Sequence, residues 1–176
     1  MSAVASCSRT VSAPAPAVWE VLADFGALAR WAPEVDHSCT LHGRPLGPGS
    51  VRRVQIGRTT LLETVTAWSP AEHLAYEITG LPPALRHVTT DWRLRVVEDG
   101  TEVTVITTVD AGARPPQRLV ARLVARRFAR GAESMLAGLT AALTSGDCVR
   151  AHGVEPTGEA TRERGVFLRR SRRPAT

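Results

Sequence analysis

Arg52 and Glu63 are the side chains of this 176-residue chain whose types and spacing could do chemistry together. Gly57-Arg58 lies midway between them. Taken as a two-residue turn, it sets Ile56 opposite Thr59, Val54 opposite Leu61, and Arg52 opposite Glu63. Alternation along a strand then puts the two charges on one face with Val54, Ile56, Leu61 and Val65. A carboxylate on such a face could act as a base or hold a water, and the guanidinium could stabilise an enolate. The same residues could equally form a structural ion pair at a sheet end.

Little else in the chain offers reactive chemistry. There is no Gly-rich phosphate loop, no His-Cys metal spacing and no Gly-x-Ser-x-Gly elbow. The histidines (His37, His42, His73, His87, His152) are isolated, and His87 alternates outward with Thr89 and Asp91. Cys7, Cys39 and Cys148 are odd in number and lack ligand spacing, as expected of reduced thiols in a cytoplasmic protein. Neither a metal nor a cofactor is expected.

Charge limits the partners. The net charge is +5, all 22 basic residues are Arg, and Lys is absent, a composition typical of a GC-rich bacterial genome. Residues 147–176 hold seven Arg against four acids, leaving 15 Arg against 13 acids over residues 1–146. The body is thus nearly balanced, and without basic clusters interleaved with aromatics, nucleic acid is not the expected partner. No apolar run approaches a membrane span, and residues 1–15 lack the pattern of a signal peptide.

The elements that must position Arg52 and Glu63 follow from periodicity. Residues 4–12 are extended. Val18, Val21, Leu22 and Phe25 have helical spacing, Gly26 breaks it, and Ala27 to Trp31 make a second short helix stopped by Pro33. Strands are expected over 35–42, 50–56, 59–68, 73–79, 87–98 and 101–110. Asp99-Gly100 reads as a turn pairing Val96 with Val103, Leu94 with Val105, Trp92 with Thr107 and Thr90 with Val109. After Pro115-Pro116 a helix runs to about Leu143. Its apolar side is Val120, Val124, Phe128, Met135, Leu139 and Ala142, flanked by Leu123, Leu136 and Leu143. Arg118, Arg122, Arg126 and Arg130 stripe its back, either as a solvated face or as a weak site for an anionic lipid or acidic partner. Residues 1–146 read as one domain, and 147–176 as an Arg-rich disordered tail.

This order of elements, with Pro16-Ala17-Val18-Trp19-Glu20-Val21-Leu22-Ala23-Asp24-Phe25, Trp31-Ala32-Pro33-Glu34-Val35, Gly49-Ser50-Val51-Arg52, Glu63-Thr64-Val65 and Leu74-Ala75-Tyr76, resembles the START/polyketide-cyclase/pollen-allergen (SRPBCC) superfamily over about residues 3–145. The resemblance implies an α+β helix-grip fold. In it, a seven-stranded curved antiparallel sheet wraps a long C-terminal helix, two short helices lie between strands 1 and 2, and a pocket is left inside. It also implies binding of a small hydrophobic ligand, lipid-like or polyketide-like, in a carrier or sensor role. The alternative it implies is a cofactor-independent cyclase, aromatase or dehydratase acting in the same cavity. Trp31 would then stand near the cavity mouth. With it, Arg52, Val54, Leu61, Glu63, Tyr76, Thr90, Trp92, Thr107 and Phe128 form the expected ligand-binding set, with Glu63 and Arg52 the catalytic candidates. Trp19 and Phe25 are expected to be core.

Overall fold

A computed structural model describes residues 2–41, 45–82, 85–112 and 115–145 of the chain. The expected tail, 147–176, and with it Cys148 and His152, lies outside the described residues, as does His42.

Seven strands form one antiparallel sheet: β1 (Ser2–Val11), β2 (His37–Thr40), β3 (Val51–Ile56), β4 (Thr59–Ser69), β5 (His73–Thr79), β6 (His87–Val97) and β7 (Gly100–Asp110). Their order across the sheet is β1-β7-β6-β5-β4-β3-β2. Chain neighbours pair directly, except that β1 closes one edge and β2 the other. The segment joining β1 to β2 must therefore cross the whole sheet, and it does so as helix α1 (Ala15–Ala23) and a 3₁₀ turn (Phe25–Arg30). Pro16 sits in the first turn of α1, where a missing N–H costs nothing. Gly26 does not break the segment as expected. The break falls at Asp24, and the 3₁₀ turn runs through Gly26, whose missing Cβ lets Thr40 of β2 come close. Ser38 fastens that approach: its Oγ accepts from the Ala29 N–H and donates to the Gly26 carbonyl.

The β3–β4 register is the one expected, with Ile56 opposite Thr59, Val54 opposite Leu61 and Arg52 opposite Glu63. Gly57, at φ +57°, makes that tight turn possible. The β6–β7 register differs from expectation by two residues: Val96 pairs with Thr101, Leu94 with Val103, Trp92 with Val105 and Thr90 with Thr107. The turn residues are Glu98 and Asp99, and Gly100, at φ +138°, already belongs to β7. A slip of two preserves the facing of every side chain. Thr90, Trp92, Leu94, Val103, Val105, Thr107 and Val109 accordingly remain on the buried face, but Val96 reaches the sheet end and is 74% exposed.

Helix α2 (Pro115–Ser145) lies along β1 and β7 and touches α1. Its fully buried residues are Ala121, Ala125, Ala132, Leu136 and Leu139. The expected stripe is therefore rotated in part: Leu139 and the flanking Leu136 are buried as expected, but Val124, Phe128, Met135, Ala142 and Leu143 are half-buried at its flank, and Leu123 is exposed. Small side chains at the seam let the helix axis approach the strands more closely than leucines would. Among the described residues no helix is long and apolar enough to cross a membrane.

Candidate functional site

The concave face of β3 and β4 carries the ion pair. Arg52 and Glu63 are 3% and 6% exposed, and the Arg52 Nε–H donates to Glu63 Oε2. The 3₁₀ turn completes the cage: Arg52 Nη1 donates to the Phe25 carbonyl at 3.1 Å, and the guanidinium carbon stands 4.0 Å from the Phe25 ring centroid and 4.9 Å from that of Tyr76. A buried cation needs this many partners, because losing its water is repaid only by close charges and dipoles. The arginine thus bridges sheet and turn. Its charge is neutralised by the carboxylate, its second nitrogen is taken by a backbone carbonyl, and its flat face rests near aromatic rings.

Tyr76 and Trp92 continue the wall across β5 and β6. The Trp92 Nε1–H donates to the Tyr76 hydroxyl at 3.2 Å, and beside it the Thr90 and Thr107 hydroxyls face each other at 3.2 Å. Burial, aided by the Glu63 charge, pushes the Tyr76 phenol up to about 12 from 10, although Arg52 and the neighbouring Trp92 and Thr90 donors pull the other way. Tyr76 is therefore a neutral hydroxyl at pH 7 and not a ready base.

That shift carries a prediction, because Tyr76 is the one tyrosine and the chain has no lysine to titrate beside it. Absorbance at 295 nm should show the phenol ionising near 12. The folded pKa lies above the unfolded one, so this group's contribution to stability is complete below pH 10. It is lost as pH climbs from 10 towards 12, and the melting temperature should fall in that window. A midpoint near 10 in the folded protein would show that water reaches the ring.

Trp31 ends the 3₁₀ turn and meets Trp92 edge to face, centroids 6.0 Å apart with planes at 87°. It is 7% exposed, and its Nε1 is buried without a hydrogen-bond partner. Among the other expected contacts, Val54 and Leu61 are buried on the face of the ion pair, and Thr90 and Thr107 are buried farther along the sheet. Phe128 is half-buried on α2 against the core. The structure thus gathers Arg52, Glu63, Tyr76, Trp92, Thr90 and Thr107 into one polar seam on the concave face, with Trp31 against its end.

Sequence reasoning missed Trp68, which meets Trp19 (centroids 5.2 Å apart) and Phe25 (6.3 Å), and it missed the Phe25 carbonyl that Arg52 captures. His87 is exposed and bonds Glu77 on the outer face. An open depression of about 590 Å³ lies around Glu72, His73, Arg93, Arg95 and Glu102. His73 is held there by Asp91 and Arg95 by Glu102. Arg122, Arg126 and Arg130 are exposed on α2, while the Arg118 side chain lies outside the described set. Cys7 and Cys39 are free thiols, and the described residues hold no cluster able to bind a metal.

A family model described as polyketide cyclase/dehydrase and lipid transport matches residues 2–144. A search of curated protein sequences finds no match. Among solved structures, the Zhui aromatase/cyclase from Streptomyces sp. R1128 is similar at a TM-score of 0.70 and 22% identity, over 87% of this chain and 99% of that one. Ara h 8.0201 is similar at 0.64 and 17%, over 82% and 99%. The di-domain ARO/CYC StfQ from the steffimycin biosynthetic pathway matches at 0.69 and 13%, over 82% of this chain and 51% of that one. At these identities the likeness is one of fold: each shares the helix-grip arrangement.

Proposed function

Because the chain belongs to the polyketide cyclase/dehydrase and lipid transport family, we propose that it binds a small hydrophobic molecule, lipid-like or polyketide-like, between its concave sheet face and α2, as a carrier or sensor. One observation favours binding over catalysis: the reactive groups of the concave face are occupied by one another. Glu63 is taken by Arg52, Arg52 also by the Phe25 carbonyl, and the Tyr76 hydroxyl oxygen accepts from Trp92. General acid–base work needs a group within reach of substrate and with a pKa near the working pH, and burial moves Tyr76 to about 12, away from that range. What remains is an apolar wall with sparse polar anchors, the usual make-up of a small-molecule site.

The cyclase reading keeps one point in its favour. Arg52 beside Glu63 on a concave wall is the kind of pair that could hold an enolate and move its proton, if a ligand displaced one partner from the other.

The test is native mass spectrometry of the purified protein for a co-purified ligand, together with titration by 1-anilinonaphthalene-8-sulfonate. Micromolar probe binding is expected, with its loss in a folded Thr107→Trp variant whose indole fills the concave face. No probe binding, or unchanged binding in that variant, would overturn this site.

A weak anionic contact belongs to the same reading. Leu119 and Leu123, 60% and 55% exposed one turn apart, share the outer side of α2 with exposed Arg122, Arg126 and Arg130. The protein should therefore sediment with phosphatidylglycerol vesicles at low salt and be released by salt. Failure to sediment would leave that stripe as a solvated face.

A further inference from the structure

The indole nitrogen of Trp31 is buried without a hydrogen-bond partner. A buried donor without an acceptor is costly, by more than a typical hydrogen bond contributes when made, and folded proteins rarely leave one. Among the described residues Nε1 of Trp31 is the buried side-chain polar atom in this state. Its setting is rigid. The ring stands on Trp92, and the Trp31 carbonyl is pressed against α2 at Gly138. The neighbouring donor, Trp92 Nε1, is already spent on Tyr76. The Trp92 ring itself brings no lone-pair acceptor, since an indole nitrogen only donates.

We propose that the Trp31 Nε1–H is the anchor for an uncharged oxygen acceptor on the ligand, a carbonyl in particular. This inference rests on the binding reading above and narrows the ligand class. A ketone-bearing ring system or polyketone chain satisfies this donor on entering the seam between β6 and α2, and a plain hydrocarbon of the same shape leaves it bare. An anionic ligand is not called for, since the cation on this face is neutralised by Glu63.

The experiment compares 9-fluorenone with fluorene, planar tricyclic probes that differ by one carbonyl. Both are titrated into wild type and Trp31→Phe, which keeps an aromatic ring and removes the donor. Fluorenone should bind wild type more tightly than fluorene, and the ratio of their affinities should fall about tenfold in the variant. In wild type labelled with ¹⁵N, the Trp31 indole proton should move downfield with fluorenone and not with fluorene. The other three indoles of the chain can be assigned from their own variants, so this readout decides the matter even if Trp31→Phe folds poorly.

Equal ratios in the two proteins, or the same indole shift with both probes, would overturn the anchor and leave the binding site standing. Binding of neither probe would overturn the binding reading and the anchor with it.

Discussion

Glu63→Gln should cost the protein about 3 to 5 kcal/mol, the usual result of stripping one partner from a buried ion pair. The amide keeps the shape of the carboxylate but leaves the Arg52 guanidinium, 3% exposed, with an uncompensated charge. The Phe25 carbonyl and the nearby rings soften the loss without replacing a counter-charge. Arg52→Met should cost a similar amount by stranding the carboxylate. The double change Arg52→Met, Glu63→Leu removes both charges and should recover most of the stability. A residual deficit of about 1 to 3 kcal/mol is expected, because the Phe25 carbonyl then lacks its donor. Urea unfolding with unchanged m-values checks all three. Stability unchanged in Glu63→Gln would mean that the pair is solvated or already neutral. The same double variant separates the two functional readings. A carrier should keep its ligand, whereas an enzyme that uses the pair should fold well and lose turnover.

The geometry behind that prediction was legible in the sequence because Gly57-Arg58 admits one tight turn, and a two-residue turn leaves no freedom in which residues face each other across β3 and β4. Asp99-Gly100 was more ambiguous. A glycine of positive φ can occupy a turn or begin a strand, and here Gly100 begins β7 because its backbone lies against the Val11 carbonyl and Ser12, where a Cβ would have no room. Local sequence holds no trace of that contact from the far end of β1. The resulting slip of two residues spared the facing of Thr90, Trp92 and Thr107 and displaced only the pairings and Val96.

Trp68 was hidden for a different reason. Counting in twos from Glu63 and Val65 places Ala67 inward and Trp68 outward. A bulge between Val65 and Ala67 resets the count and pairs Trp68 with Leu74 on the inside, against Trp19 and Phe25. On α2, hydrophobicity pointed to the larger residues, of which Leu136 and Leu139 are buried, whereas the other buried positions are the alanines Ala121, Ala125 and Ala132, which suit a close approach. The capture of the Phe25 carbonyl by Arg52 has no signal in the sequence, since every residue type carries that acceptor.

Gly138→Ala should destabilise the protein by about 1 to 3 kcal/mol, whereas Gly131→Ala, two turns earlier on the same helix, should stabilise it by up to about 1 kcal/mol. Intrinsic propensity alone predicts the same gain at both positions, since both lie in the interior of α2. Space decides between them. A Cβ on Gly131 would meet only Glu34 Oε2 at 3.5 Å, an ordinary contact with a side chain that can turn away. A Cβ on Gly138 would collide with the Trp31 carbonyl oxygen and come within 3.0 Å of Pro33 Cδ. Neither of those can rotate aside, because one is backbone and the other a proline ring. The helix must move outward, or the end of the 3₁₀ turn must shift and take Trp31 with it. Thermal melts should therefore move in opposite directions, by about 2 to 4 °C per kcal/mol for a chain of this size. A stabilised Gly138→Ala would mean that α2 rides farther from the turn than the structure places it. If the helix yields instead of the turn, the Trp31 indole resonance should stay where it is in wild type, and if the turn yields it should move. The variant thus also reports how firmly α2 holds the proposed ligand anchor in place.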